Sequence, residues 1–76
     1  YARLAKHLLD LSRQGEQTID RKENPIRLMA ARVITTPEAI SRTLRTFSST
    51  GLIHYDRMQI QVRDLDGLNE AAQLNF

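Results

Sequence analysis

The sequence predicts a mainly α-helical domain that carries a small β-hairpin. Apolar residues recur at helical spacing in separate segments, and two of these segments begin with a capping residue followed by proline, Asn24-Pro25 and Thr36-Pro37. From Met58 to Arg63 apolar and polar residues alternate strictly, which is typical of a half-buried strand. With 76 residues, we expect one domain over residues 1–76.

The first helix is predicted from the repeat of Leu4, Leu8 and Leu11 at i, i+4 and i+7. This spacing places the three leucines on one face of a helix over roughly residues 1–14, which should end near Gly15. The following segment, 15–22, is polar and turn-like, with room for a short strand around residues 18–20.

A second, short helix begins at Asn24-Pro25, where Asn24 is expected to cap the helix and Pro25 to occupy its first position. Ile34 and Thr35 should form the turn that follows. The apolar face of this helix is expected to consist of Ile26, Met29, Ala30 and Val33.

The third helix shows the same start signal, with Thr36 as cap, Pro37 next and an acidic residue, Glu38, in the first turn. It should run over residues 36–50 and stop at Gly51, a suitable residue for a helix C-terminus. Its buried stripe is expected to be Ile40, Leu44 and Phe47.

A hairpin follows over about residues 52–63, with a turn near Asp56-Arg57. Its second strand should bury Met58, Ile60 and Val62. A last helix, capped by Asp64 or Asp66, is predicted from Leu65, Leu68 and Ala72. Two helices joined by a tight turn, at about residues 25–50, and a hairpin after them predict a winged helix-turn-helix with a three-helix core.

The composition argues against several functional classes. There is no cysteine, and the two histidines, His7 and His54, lie far apart without partners at ligand spacing, so no metal site is expected. His54 is interpreted as structural or solvent-facing. No catalytic pairing of residues and no phosphate-binding glycine loop is found, so we expect neither an enzyme nor a cofactor site. No apolar run or signal peptide points to a membrane, and a cytoplasmic location is expected.

The charge distribution favours a polyanionic partner. All 11 Lys and Arg residues precede Asp64, whereas Asp64, Asp66 and Glu70 follow without any basic residue, and the formal net charge is +2. A basic body with an acidic tail is suited to bind a polyanion with the tail turned away from it.

The third helix carries the residue types that read base pairs. Opposite its apolar stripe lie Glu38, Ser41, Arg42, Arg45 and Ser49. Arginine pairs with the acceptor edge of guanine and glutamate accepts from the cytosine amino group, so Glu38 and Arg42, at i and i+4, can reach the same or adjacent base pairs. The alternative is structural: Glu38 would stabilise the helix dipole and form a surface ion pair with Arg42.

Phosphate contacts are expected around this helix. Thr36 can donate its hydroxyl beside the free N–H groups of the helix start, which favour anions. Arg27, Arg45 and Arg57 are the other candidates, although each could equally be a solvated surface charge. Arg21 and Lys22 are interpreted as solubilising residues.

Residues 29–45 and 51–53, together with 3–11, resemble the C-terminal domain of the Crp/Fnr family of bacterial transcription regulators. The motif Glu38-x-x-Ser41-Arg42 resembles the recognition helix of the Fnr branch, in which these positions read a TTGAT-like half-site. The resemblance implies that Arg42 reads the guanine, Glu38 the opposite-strand edge beside it, and Ser41 a flanking thymine.

The resemblance also implies a full-length homodimer with an N-terminal sensor domain and a dimerisation helix, and we expect this region to lie outside the present chain. Any effector would bind there. RNA polymerase is an implied partner, through the loop after the first helix at about residues 14–22. Two half-sites on a palindrome would match the two-fold axis of the dimer.

Two positions depart from the family pattern. The family usually has glycine at the position of Ile34, which predicts backbone strain if a positive φ is kept. It usually has another glycine near Asp56-Arg57. Winged-helix regulators of other families carry similar helices, and a winged helix used for protein–protein contact is the alternative from another functional class.

Overall fold

The computed structural model describes residues 1–73, which form four α-helices and three short β-strands. In chain order these are α1 (Ala2–Leu11), β1 (Ile19–Asp20), α2 (Ile26–Val33), α3 (Pro37–Ser49), β2 (Ile53–Tyr55), β3 (Gln59–Val62) and α4 (Leu65–Gln73). The predicted fold class, a mainly helical winged helix-turn-helix, is confirmed.

The wing is a three-stranded antiparallel sheet with strand order β1-β3-β2. The short β1 segment pairs Ile19 with Ile60, and β2 pairs Ile53 with Val62. Ile19, Ile53 and Ile60 are buried. The predicted hairpin is therefore extended by a strand from the loop between α1 and α2, and this strand connects the wing to the helical core.

The helices and the sheet enclose one apolar core. The predicted stripe of α3 is buried. Leu44 in this stripe and Ile60 in β3 are fully inaccessible to solvent. The core cluster consists of Leu4, Ala5, Leu8, Leu9, Ile19, Met29, Ala30, Ile40, Leu44, Phe47, Ile53, Ile60, Leu68 and Ala72. Every helix contributes to it, and α3 packs mainly against α2 and β2.

The first helix ends earlier than predicted, at Leu11 instead of near residue 14. The hydroxyl of the buried Ser12 donates to the carbonyl of Leu9 (3.3 Å) and accepts from the N–H of Gly15 (3.0 Å). Arg13 and Gln14 have positive φ values of 52° and 57°. The left-handed backbone of these two residues stops the helix before Gly15 is reached.

The start of α2 differs from prediction by one residue. Pro25, with φ −65° and ψ 157°, is the capping residue, and its carbonyl accepts from the N–H groups of Leu28 and Met29. Asn24 is not the N-cap, because the helix begins only at Ile26; its side-chain amide donates to the carbonyl of Asp20 (2.9 Å). The asparagine thus stabilises the loop that precedes the helix.

The predicted ends of α3 and the start of α4 are observed. The Thr36 Oγ1 atom accepts from the N–H of Ala39 (3.2 Å), and Gly51 follows the helix with φ +82°. Of the two candidate caps for α4, Asp64 is the one used: its Oδ1 accepts from the N–H of Gly67 (2.9 Å).

The wing tip corrects the prediction that Met58 is buried. Met58 is 73% exposed, since β3 begins only at Gln59. The Oδ1 atom of Asp56 accepts from the N–H groups of Met58 (2.7 Å) and Gln59 (3.0 Å). These two hydrogen bonds lower the pKa of Asp56 and form a turn closed by a carboxylate, without the glycine usual at this place.

Ile34, in the turn between α2 and α3, has the left-handed conformation anticipated from the missing glycine. Its φ and ψ are 57° and 63°, and its side chain is 81% exposed. A β-branched residue is strained in this region, by roughly 1–2 kcal/mol. Burial of the Ile34 side chain contributes little to offset that cost.

Ile34→Gly should therefore raise the free energy of unfolding, by about 1 kcal/mol after the greater freedom of glycine in the unfolded chain is deducted. Urea denaturation of the two proteins measures this. Ile34→Ala is the control, because alanine keeps a Cβ and should gain less than glycine. A loss of stability in Ile34→Gly would show that the side chain makes packing contacts that outweigh the strain.

Burial lowers the pKa of His7 below the 6.5 typical of histidine, and the charge of Arg32 adds to this effect while Asp10 opposes it. The unfolded chain consequently binds a proton at higher pH than the folded domain does. We expect stability to fall as the pH drops below about 6.5. The urea midpoint should depend less steeply on pH in His7→Gln than in the wild type. An equal dependence on pH in the two proteins would exclude His7 as the cause.

Candidate nucleic-acid interface

The outer side of α3 carries a set of polar side chains that we call the reading face, consisting of Glu38, Ser41, Arg42, Arg45 and Ser49. Ser41 is half-buried and the other four are exposed. All five lie on the side of the helix opposite Ile40, Leu44 and Phe47, which are buried. The structure thus brings together two guanidinium groups, one carboxylate and two hydroxyls on a single solvent-facing surface, as the sequence predicted.

The helix that bears the reading face packs with its buried side against the start of α1. Phe47 is 2% exposed, and the ring of Tyr1 packs against it with a centroid separation of 5.7 Å. The Tyr1 hydroxyl also donates to the Oγ1 of Thr46 (3.4 Å). The contact between the start of α1 and α3 was not predicted, because nothing local in the sequence signals it.

The hydroxyl groups along α3 differ in whether their proton is already donated within the protein. Ser49 donates to the carbonyl of Thr46 (3.0 Å), so its proton is used within the helix. Thr36 instead accepts with its oxygen from the N–H of Ala39, and within the described part of the chain its proton has no acceptor and can be donated to a bound molecule. Thr36 is exposed at the N-terminal end of α3, where the helix dipole favours an anion.

The remaining predicted phosphate-binding residues are dispersed around α3. Arg45 lies on the reading face, Arg27 is exposed in the first turn of α2, and Arg57 is exposed at the wing tip. Arg57 lines a cleft of about 560 Å³ together with Lys22 and Ile26. This cleft brings the wing tip to the start of α2, so Arg57 of the wing and Lys22 of the loop before α2 face the same space.

Arg21 has a role that the sequence did not predict. Its Nη1 atom donates to the carbonyl of Asp56, its guanidinium carbon lies 5.6 Å from the centroid of the Tyr55 ring, and its backbone N–H donates to the carbonyl of Met58 (3.0 Å). The interpretation of Arg21 as merely solubilising is wrong. These partners lie in the wing, distant along the chain, so only the pairing of β1 with β3 brings them to Arg21.

Arg21→Ala should loosen the wing tip and cost about 1 kcal/mol of stability, since it removes a charged hydrogen bond and a cation–π contact at a half-exposed site. Amide hydrogen exchange of Arg57, Met58 and Gln59 should accelerate. Lys22→Ala is a matched control, because Lys22 is exposed and its side chain has no such contact. Equal exchange rates in Arg21→Ala and wild type would contradict this role.

Other classes of site have no counterpart in residues 1–73. No group of three or more His, Cys, Asp or Glu residues there is arranged to hold a metal ion. Within the same range, no helix combines the length and the apolar composition that crossing a bilayer requires. His54 is exposed, in agreement with its interpretation as solvent-facing.

Comparison with models of known protein families gives a significant match. The family model of the Crp-like helix-turn-helix domain matches residues 2–71, which includes the four helices almost to the end of α4 and the whole wing. No significant match was found among curated proteins or among solved structures.

Proposed function

Because the chain belongs to the family of Crp-like helix-turn-helix domains, which bind DNA in transcription regulators, we propose that it recognises a specific double-stranded sequence through α3. In this proposal α3 enters the major groove with its reading face toward the base edges. The observation that carries it is the exposure of Glu38, Ser41 and Arg42 on a helix whose other side is buried in the core.

The proposed half-site resembles TTGAT. Arg42 would pair with O6 and N7 of the guanine, the commonest specific contact in the major groove. Glu38, one turn earlier, would accept from a base amino group on the opposite strand, and Ser41 would contact a flanking thymine. The three side chains lie within one and a half turns of α3, so they can reach neighbouring base pairs together.

Phosphate contacts would fix the position of the domain on the duplex. Thr36 would donate its free hydroxyl proton, and Arg27, Arg45 and Arg57 would contribute charge from α2, α3 and the wing. These contacts set affinity and its dependence on salt, whereas the base contacts set sequence preference.

For the whole protein, we propose a homodimeric bacterial transcription regulator in the cytoplasm. The dimerisation helix and the sensor domain would precede this chain, and an effector would bind to the sensor domain. The loop between α1 and β1 would contact RNA polymerase. A dimer would place two copies of α3 on two half-sites of a palindrome.

A protein-contact module is the second candidate, and one feature favours it. Tyr1 and Ile34 are 68% and 81% exposed and line the same groove beside α3. Exposed apolar side chains that share a groove are typical of protein-binding surfaces. This candidate predicts that Arg42→Ala leaves binding of the partner unchanged.

An NMR titration distinguishes these functions. The domain is titrated with a short duplex carrying TTGAT and with a duplex in which the G·C pair is replaced. Sequence-specific recognition predicts chemical-shift changes concentrated on residues 36–49 that weaken with the replaced base pair. Equal shifts of scattered basic residues with both duplexes would contradict specific recognition and favour the protein-contact function.

A further inference from the structure

A second basic surface lies away from the reading face, in the groove between α1 and the end of α2. Arg3, Lys6, His7 and Asp10 follow one another at i, i+3, i+4 and i+7 and so share one face of α1. Arg32, in the last turn of α2, lies across from them. The side chains enclose an open groove of about 330 Å³, which we call the α1–α2 groove.

The α1–α2 groove carries more positive than negative charge. Arg3, Lys6 and Arg32 are exposed, and Asp10 is the carboxylate that lines the groove with them. The Nε2 atom of His7 is buried, and it has no hydrogen-bond partner among residues 1–73. Part of the lowering of the His7 pKa comes from the charge of Arg32, so positive potential extends into the groove. An anion with several acceptor oxygens would pair with the exposed cations of the groove.

The groove continues toward α3. Arg3 and Ile34 line the α1–α2 groove and also the adjoining groove that Ala39 and Thr43 of α3 border. Ile34 is followed within two residues by Thr36, where a phosphate contact is proposed. A DNA strand that passes Thr36 can therefore extend along the turn toward Arg3 and Arg32.

We propose that the α1–α2 groove is a second DNA-backbone site, in which Arg3, Lys6 and Arg32 contact phosphates outside the base pairs that α3 reads. This inference rests on the proposed function. Phosphates of the DNA backbone would pair with the cations that two helices contribute to this groove, and each neutralised phosphate releases condensed counterions. The site adds affinity and salt dependence without adding sequence preference.

The test compares two double variants on two duplexes. Arg3→Gln/Arg32→Gln removes two charges from the groove, and Arg13→Gln/Arg63→Gln removes two exposed charges elsewhere. Each protein is titrated, at several salt concentrations, with a duplex that ends at the half-site and with one extended on both sides. On the extended duplex, the groove variant should reduce the slope of log K against log salt by about 2, and the control should change it far less.

On the short duplex the two variants should bind alike, and both should keep the preference for the half-site. The imidazole signals of His7 in the wild type should shift with the extended duplex and stay unchanged with the short one. Equal slope changes in both variants would reduce the effect to overall charge and overturn the inference. Shifts of His7 with an acidic peptide, but not with the extended duplex, would assign the groove to a protein partner instead.

Failure of the proposed function is recognised separately. A wild-type domain that fails to distinguish the half-site from the duplex with the replaced base pair would overturn sequence-specific recognition by α3. A domain that makes this distinction, but whose two double variants behave alike on the extended duplex, would overturn only the α1–α2 groove.

Discussion

Arg42→Ala should weaken binding to a TTGAT half-site by roughly 5- to 150-fold, the equivalent of about 1–3 kcal/mol. The loss arises because two hydrogen bonds to the guanine edge disappear, and because that edge then lies unpaired in the interface. Arg42 is exposed in the free domain, so its replacement should leave stability within about 0.5 kcal/mol of the wild type. Fluorescence anisotropy with labelled duplexes measures the affinity, and urea denaturation measures the stability.

The matched control is Arg45→Ala, which removes the same charge from the next turn of the same face. Arg45 is proposed to contact phosphate, so its loss should weaken binding to all sequences by a similar factor and lower the salt slope by about 1. Only Arg42→Ala should abolish the discrimination between the half-site and its G·C replacement. If Arg42→Ala weakened both duplexes by the same factor, Arg42 would be a phosphate contact and the proposed reading would be wrong.

Replacing Arg42 is expected to change DNA binding without changing stability because α3 has two chemically distinct sides. The inner side is apolar and buried, and the outer side carries the reading face. This division was predictable from the sequence, since residues that recur at helical spacing must share a face. The two ends of α3 were predictable for a similar reason, because Thr36, Pro37 and Gly51 act through hydrogen bonds and backbone angles close to them in the chain.

Two kinds of feature were missed: contacts between distant parts of the chain, and turns that hydrogen bonds of a single side chain set. Nothing near Arg21 in the sequence indicates that its guanidinium binds the carbonyl of Asp56; the contact exists because β1 pairs with β3. The exposure of Met58 follows from the position of the turn, which the carboxylate of Asp56 sets and the alternation of residues did not reveal. The early end of α1 depends on Ser12, whose hydroxyl accepts a hydrogen bond from the N–H of Gly15 in place of a helical carbonyl.

The α1–α2 groove was predictable from the sequence only in part. The spacing of Arg3, Lys6 and His7 shows from the sequence that they share a helix face. The presence of Arg32 across from them requires the packing of α2 on α1, a tertiary contact with no local signal. A basic face on one helix is ordinary surface, whereas cations from two helices around one groove are a candidate site.

Phe47→Ala should have the largest effect on stability, a loss of about 3–5 kcal/mol. Phe47 is 2% exposed and contacts Tyr1, so alanine would leave a cavity between α3 and the start of α1. For a domain of 76 residues the whole free energy of unfolding is about 4–11 kcal/mol, at roughly 0.05–0.15 kcal/mol per residue. The variant should therefore be partly or largely unfolded at 25 °C, with a weakened near-ultraviolet circular dichroism signal.

Phe47→Leu is the control for this prediction, because leucine fills more of the cavity than alanine and should cost clearly less. Phe47→Ala should also bind DNA poorly, but only in proportion to its unfolded fraction, and lowering the temperature or adding an osmolyte should restore binding. Arg42→Ala should not recover under the same conditions, since its fold is intact and its base contact is missing. If Phe47→Ala kept the denaturation midpoint of the wild type, Phe47 would not be the side chain that holds α3 against the core.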